Sequence, residues 1–241
     1  MDHKLEVIGF TIESCTIAQS SGANRIELCD NPGEGGTTPS YGFIKAARKN
    51  LSIELYPIIR PRGGDFFYNN DEYVIMQNDV IICKNQGCDG IVTGMLNEDG
   101  SVDKQRCSKL IELAYPLGVT FHRAFDRTND PFKAMEDIIE LGCERILTSG
   151  QKPSVVDGME LVAELIEKAA ERIIIMPGSG IRSDNIADIA IKTKATEFHT
   201  SARTMIQSKM KFRNEKMNEE MKSVSADEAE IKAIKKILDG L

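Results

Sequence analysis

The stretch "GCERILTSG", residues 142–150, holds a complete structural junction. A glycine stops a helix, a polar pair turns the chain, an isoleucine starts a strand, and a Ser-Gly loop closes it. The same junction recurs as "GANRI" at 22–26 and as "GCDGI" at 87–91. One βα unit is therefore used repeatedly, and the fold follows from counting its copies.

Outward from that stretch, eight β-like runs can be read: 5–10, 25–29, 55–60, 90–94, 118–125, 145–150, 173–180 and 197–203. Amphipathic, helix-like segments lie between them. Strict alternation of this kind predicts a parallel sheet. Eight units in 241 residues predict an α/β fold, a single-domain (β/α)8 TIM-type barrel spanning 1–241. A doubly wound sheet also alternates, but it usually has fewer strands, and no G-x-G-x-x-G follows the first run. Helix starts are legible too. Asp130 caps a helix with Pro131 at its first position, and Ser225 with Glu228 predicts a capping box for the last helix. Residues 204–224 read as a polar excursion before that helix.

Composition narrows the function classes. With 41% apolar and 28% charged residues the chain is globular in type, and a net charge of −7 argues against a nucleic-acid partner. The start, "MDHKLEVIGF", has no basic segment leading into an apolar one, and no window approaches a membrane span. Six cysteines without an export signal read as reduced thiols in a cytoplasmic protein. They form no C-x-x-C and have no histidine near them in sequence, which argues against structural zinc.

Barrel sites lie at the carboxyl ends of the strands, and side chains there alternate between lumen and helix layer. Ile26 and Leu28 facing the helices turn Glu27 and Cys29 inward. Val119 and Phe121 facing outward turn His122 inward. By the same parity Arg60 points in with Arg62 above it, and His199, Ser201 and Arg203 point in from the last run; Ser149 joins them from "RILTSG". Buried charges must pair, bind a ligand or meet water. One reading is a structural salt-bridge cluster plugging the barrel. The other is a small-anion site, in which arginines match carboxylate or phosphate and His122 and Glu27 exchange protons. The loop after the seventh run, with Gly178 and Gly180, is placed to cradle phosphate through its amides.

Cysteine position separates roles. Cys88 and Cys143 fall in turns at the opposite face, while Cys15, Cys83 and Cys107 lie on predicted helices and read as buried packing. Cys29 alone ends a strand at the functional face, where a thiolate with a second soft ligand would hold Cu(I). Met205, Met210, Met217 and Met221 offer thioethers, though their spacing equally suits helix packing.

The segments "GANRIELCDNPGEGGTTPS", "IIRPRGGDFFY", "GVTFHRAFDRTNDP", "RILTSGQ" and "EFHTSAR" resemble the CutC family of copper homeostasis proteins, from about residue 5 to 214 and including "MKFRN". The resemblance implies a TIM-type barrel, a cytoplasmic location, homodimers or larger homo-oligomers, and association with copper. It also implies that Cys29 stands where the family has the cysteine ending the second strand. The first-strand cysteine with which it pairs is here Ile8, and an acidic residue two places on is here Phe10. Glu27, Arg60, His122, Arg123, Asp126, His199 and Arg203 match the family's lumen set, which favours a small-molecule site. Two functions therefore stand open: a Cu(I)-handling protein with Cys29 as ligand, or a barrel enzyme of unnamed reaction acting on a small anionic metabolite.

Overall fold

The protein is described over residues 3–241 by a computed structural model. It is an α/β barrel, in chain order β1 (Lys4–Gly9), α1 (Ile12–Ser20), β2 (Arg25–Leu28), α2 (Tyr41–Asn50), β3 (Glu54–Pro57), α3 (Asn70–Asn85), β4 (Gly90–Thr93), α4 (Lys104–Ala114), β5 (Gly118–Phe121), α5 (Pro131–Glu140), β6 (Arg145–Thr148), α6 (Val155–Ala169), β7 (Ile174–Pro177), α7 (Ile186–Thr193) and β8 (Glu197–Thr200). Two parallel ladders, β3-β2-β1-β8 and β4-β5-β6-β7, are joined by a parallel bridge between Ile58 and Val92. A hairpin of β9 (Arg203–Gln207) and β10 (Lys222–Ala226) then leads into α8 (Glu228–Leu238). Among the described residues no helix is long and apolar enough to cross a membrane.

Strand alternation sorts the side chains into two sets. Val7, Ile26, Leu55, Ile91, Ile146 and Phe198 leave the lumen and are fully buried in the core that includes the helices. The register aligns Glu6 with Arg25 and His199, and Glu27 with Ile8 and Tyr56, on the other face.

The barrel floor is ionic. Arg25 Nη1 donates to Glu6 Oε2 at 3.2 Å and to Glu197 Oε2 at 2.9 Å, and its Nε donates to Glu54 Oε2 at 2.8 Å. Arg145 Nε donates to the same Glu197 oxygen at 3.1 Å. Both guanidiniums lie over the Tyr56 ring, 5.0 and 5.2 Å from its centroid. The Tyr56 ring fits because β4 and β5 begin with Gly90 and Gly118, where a methyl group would overlap it.

Three expectations need correction. The fifth run ends as a strand at Phe121, and residues 123–127 turn into a 3-10 helix that bends the chain over the barrel end. The eighth strand ends at Thr200, so Arg203 opens the hairpin, and the two ends of the 204–224 excursion, 204–207 and 222–224, pair with each other as its strands. The last helix is capped by Asp227, whose side chain accepts from the Glu230 amide at 3.1 Å; Ser225 and Ala226 are held in β10 instead. The Asp130–Pro131 cap stands as read.

Gly90→Ala is expected to destabilise the fold by about 1–3 kcal/mol through overpacking against Tyr56. In a Tyr56→Leu background that cost should shrink to a minor fraction. Urea unfolding of the two singles and the double checks this; an undiminished cost would place the conflict elsewhere.

Candidate functional site

The carboxyl ends of the strands surround a cavity of about 250 Å³. Glu27 from β2, Arg60 from beyond β3, His122 and Arg123 from the end of β5, His199 from β8 and Arg203 from the hairpin all line it. The loop after β7 adds Ser179 and Gly180, and Phe66, Leu147 and Ile8 supply apolar wall. Gly178 does not line the cavity; its lack of a side chain makes room for Leu147 and His199, which a methyl group there would crowd.

His199 is clamped between two carboxylates. Its Nδ1 meets Glu6 Oε1 at 2.7 Å, and its Nε2 lies 3.8 Å from Glu27 Oε2. Burial alone would lower the imidazole's pKa, but the Glu6 hydrogen bond and the two carboxylates outweigh it and raise the value. For Glu6, burial works upward, yet His199 and the arginines below hold it at about 2. Glu27 goes the other way. Burial, with the negative field of Glu6, pushes it up to about 7 against the pull of His199 and Arg60. The arrangement sets a carboxyl that gains or loses a proton near neutral pH 3.8 Å from an imidazole whose own pKa is raised.

His122 is in the opposite state. The Ala124 amide donates to its Nδ1 at 3.2 Å, which puts the ring proton on Nε2. Nε2 itself is buried and has no partner among the described residues. Phe66 lies against the ring, with centroids 4.8 Å apart. Burial and then the Arg60 charge lower its pKa to about 3, so the imidazole is neutral. Of the two imidazoles, it is His199 that lies beside Glu27, 3.8 Å away.

The arginines divide between framework and cavity. Arg60 donates to the carbonyls of Glu34 and Gly36, each at 2.7 Å, and of Gly64 at 3.1 Å, so it ties two loops together while lining the cavity. Arg62 does not reach the cavity; it pairs with Glu72 and Asp65 beside α3. Arg203 donates only to the Pro32 carbonyl, at 3.4 Å, among the described residues. Arg123 anchors its Nε on Asp126 at 2.7 Å. Asp126 and Ser149 stand outside the cavity. The Asp126 carboxylate accepts from the Ser149 and Gln151 amides and the Ser149 and Thr148 hydroxyls, which makes it a fixed brace for the loop after β6.

Sequence reasoning missed Glu6, Arg25, Arg145 and Glu197. The available signal was parity: Glu6 alternates with Leu5 and Val7 as Glu27 does with Ile26 and Leu28. Cys29 follows directly on the second strand, which ends at Leu28, and is enclosed with Ile8, Tyr56, Ile58 and Val92. Burial, then the Glu27 and Glu6 charges, push its thiol well above the usual range. All six cysteines are free and buried. Glu6, Glu27 and His199 do bring one ligand-type atom each within 4.8 Å of one another. Glu6, however, already engages His199 with one oxygen and Arg25 with the other.

Residues 3–204 match the CutC family. The chain is 50% identical over 213 residues to a CutC family protein of Chromobacterium violaceum, covering 88% of this chain and 86% of that one. It is 47% identical over 210 residues to the human copper homeostasis protein cutC homolog, covering 87% and 77%. The crystal structure of a CutC protein from Streptococcus agalactiae superposes with a TM-score of 0.79 at 32% identity, covering 83% of this chain and 98% of that one.

The raised carboxyl of Glu27 gives a signed prediction. Between its ordinary 4.5 and about 7 the folded state keeps a proton that the unfolded chain has released, so Glu27 costs stability progressively as pH rises through that window. Glu27→Gln, which cannot ionise, should therefore gain melting temperature relative to wild type between about pH 5 and about pH 8. A gap that stays constant over that range would show that Glu27 does not titrate there.

Proposed function

The chain belongs to the CutC family, and we propose that its barrel mouth binds a small anionic metabolite, at which Glu27 and His199 move a proton. The observation that carries this reading is the positive side of the cavity, where Arg123 is paired with Asp126 but Arg203 has no carboxylate partner among the described residues. Arg203 faces it with a single long contact to a carbonyl, and Arg123 lines it from the opposite loop. Between them the amides of Ser179 and Gly180 have no acceptor among the described residues. Ser179 adopts φ 74° and Gly180 φ 91°, a loop geometry that leaves those amides free of the β7 ladder. Guanidinium groups and free amides together recognise phosphate or carboxylate oxygens. Glu27 on the other wall, poised near neutral, supplies the acid–base group.

Copper handling is the second reading, because relatives carry copper homeostasis in their names. Cu(I) favours soft donors, thiolate or thioether. Here the Cys29 thiol is held in its protonated form inside an apolar cluster, and Ile8 shares that cluster. Met205, Met210 and Met217 are exposed on the hairpin side. These residues do not fit a Cu(I) site, and the anion reading takes precedence. Anaerobic competition against a Cu(I) chelator is expected to show no tight binding that Cys29→Ser removes. Tight binding lost in that variant would reinstate copper.

Inorganic phosphate should stabilise the protein by mass action. A dissociation constant of about 1 mM would add about 1.4 kcal/mol at about 10 mM ligand. Arg203→Ala should abolish the thermal shift while leaving the unliganded melting temperature near wild type, because Arg203 is exposed. Arg60→Ala is the wrong probe, since it removes three loop bonds. No shift with phosphate would reject the anion site.

A further inference from the structure

Resting on the anion reading above, we propose that the chemistry of this site is enolisation of a small phosphorylated carbonyl compound. Glu27 takes the proton from the carbon beside the carbonyl, and the Nε2–H of His122 donates to the oxygen on which charge develops.

The unpaired Nε2–H of His122 points to this reaction. Buried donors nearly always have partners, and one left without needs an explanation. The proton cannot be relocated to Nδ1, because that atom already accepts from the Ala124 amide. The ring is therefore a fixed donor, shielded from water beside Phe66 and held on the cavity wall. A hydrogen bond formed in such a place is stronger than one in water, and it needs no reorientation when charge appears. What is missing is an acceptor, and a ligand oxygen in the cavity supplies one.

Neutrality matters as well. Burial and the Arg60 charge keep His122 uncharged, so it polarises a carbonyl without surrendering a proton outright. Isomerases that pair a carboxylate base with a neutral imidazole work in this way. The opposite wall carries the carboxylate. His199, fixed by Glu6, lies 3.8 Å from Glu27. The anion clamp of Arg203, Arg123 and the Ser179–Gly180 amides sets the substrate's other end.

The step balances without a further reactant. Glu27 carboxylate forms an O–H bond with the substrate proton. The C–H pair becomes a C=C bond, and the carbonyl π pair moves to oxygen, where His122 Nε2–H meets it. Return of the proton from Glu27 to the adjacent carbon, with the proton of the neighbouring hydroxyl passing to the first oxygen, moves the carbonyl by one position. Its return to the same carbon regenerates substrate with solvent hydrogen exchanged.

Two probes separate this inference from the anion reading. Phosphoglycolohydroxamate mimics a planar enediolate, and glycerol 3-phosphate shares its phosphate but has tetrahedral carbons bearing neutral hydroxyls in place of the planar group. By calorimetry the hydroxamate should bind wild type about a hundredfold more tightly, since intermediates of the reaction are bound in preference to ground states. His122→Phe should bring the ratio close to one while retaining glycerol 3-phosphate affinity. On wild type alone, the hydroxamate but not glycerol 3-phosphate should produce a downfield imidazole N–H proton resonance that is absent from the free protein; this readout stands even if the variant fails to fold. Equal affinities, with no new resonance, overturn enolisation and leave the anion site intact. A preference that survives in folded His122→Phe also overturns it. Failure of both probes to bind removes both proposals.

Discussion

The Glu6 carboxylate is the interaction on which the barrel's interior turns. One oxygen accepts from Arg25 at the floor, and the other meets His199 at the mouth. A carboxylate buried this completely is tolerable only with both oxygens engaged by charge. The floor then continues from Arg25 through Glu197 to Arg145 and on to Tyr56. A barrel floor of well-packed aliphatic side chains would be at least as stable by ordinary accounting. What the ionic floor adds is orientation: it fixes the one group that fixes His199. The framework and the cavity thus share a single residue, and the salt-bridge plug that the sequence offered as one reading forms a layer beneath the cavity.

Small residues shape the space that those charges occupy. Gly90 and Gly118 admit the Tyr56 ring, which in turn receives both arginines. At the mouth, Gly94 does the same for the His122 ring and Gly178 for His199 and Leu147. Glycine weakens a strand interior, so its placement on lumen positions of β4 and β5 and just beyond β4 and β7 has a packing cause. The His122 ring could not keep its position if Gly94 carried a side chain, and a side chain at Gly178 would displace Leu147 and crowd His199.

Alternation made much of this readable. Eight β-like runs, three of them entered through the same helix-stop and strand-start junction, give the barrel, and parity along β2, β5 and β8 gives Glu27, His122 and His199. Parity applied equally to β1 would have found Glu6, but "LEVIGF" reads as an apolar strand with one charge, and a single charge carries little weight. Arg25 and Arg145 were hidden because they sit in the turn signature itself, as the arginines of "GANRI" and "GCERI". The arginines beyond the strands were harder. A guanidinium has five donors on a long stem, and spacing does not say whether they meet a ligand, as Arg203 can, or loop carbonyls, as Arg60 does. Asp126 was misread for a related reason. Its backbone-amide partners on the next loop exist only once β6 has placed that loop beside it.

Two imidazoles of the same intrinsic basicity end in opposite states within one cavity. His199 has carboxylates on both nitrogens and is raised; His122 has a backbone amide on one nitrogen, a guanidinium nearby, and is lowered. Neither result depends on the histidine itself. Each follows from which strand delivers the neighbours: β1 and β2 bring Glu6 and Glu27 to His199, while the turn after β5 brings the Ala124 amide to His122. The cavity therefore has a side that holds and exchanges a proton and a side that can only donate a hydrogen bond. A ligand with an acidic C–H on one side and a basic oxygen on the other is the complement of that asymmetry. A soft metal ion, which has no use for a neutral N–H donor, is not.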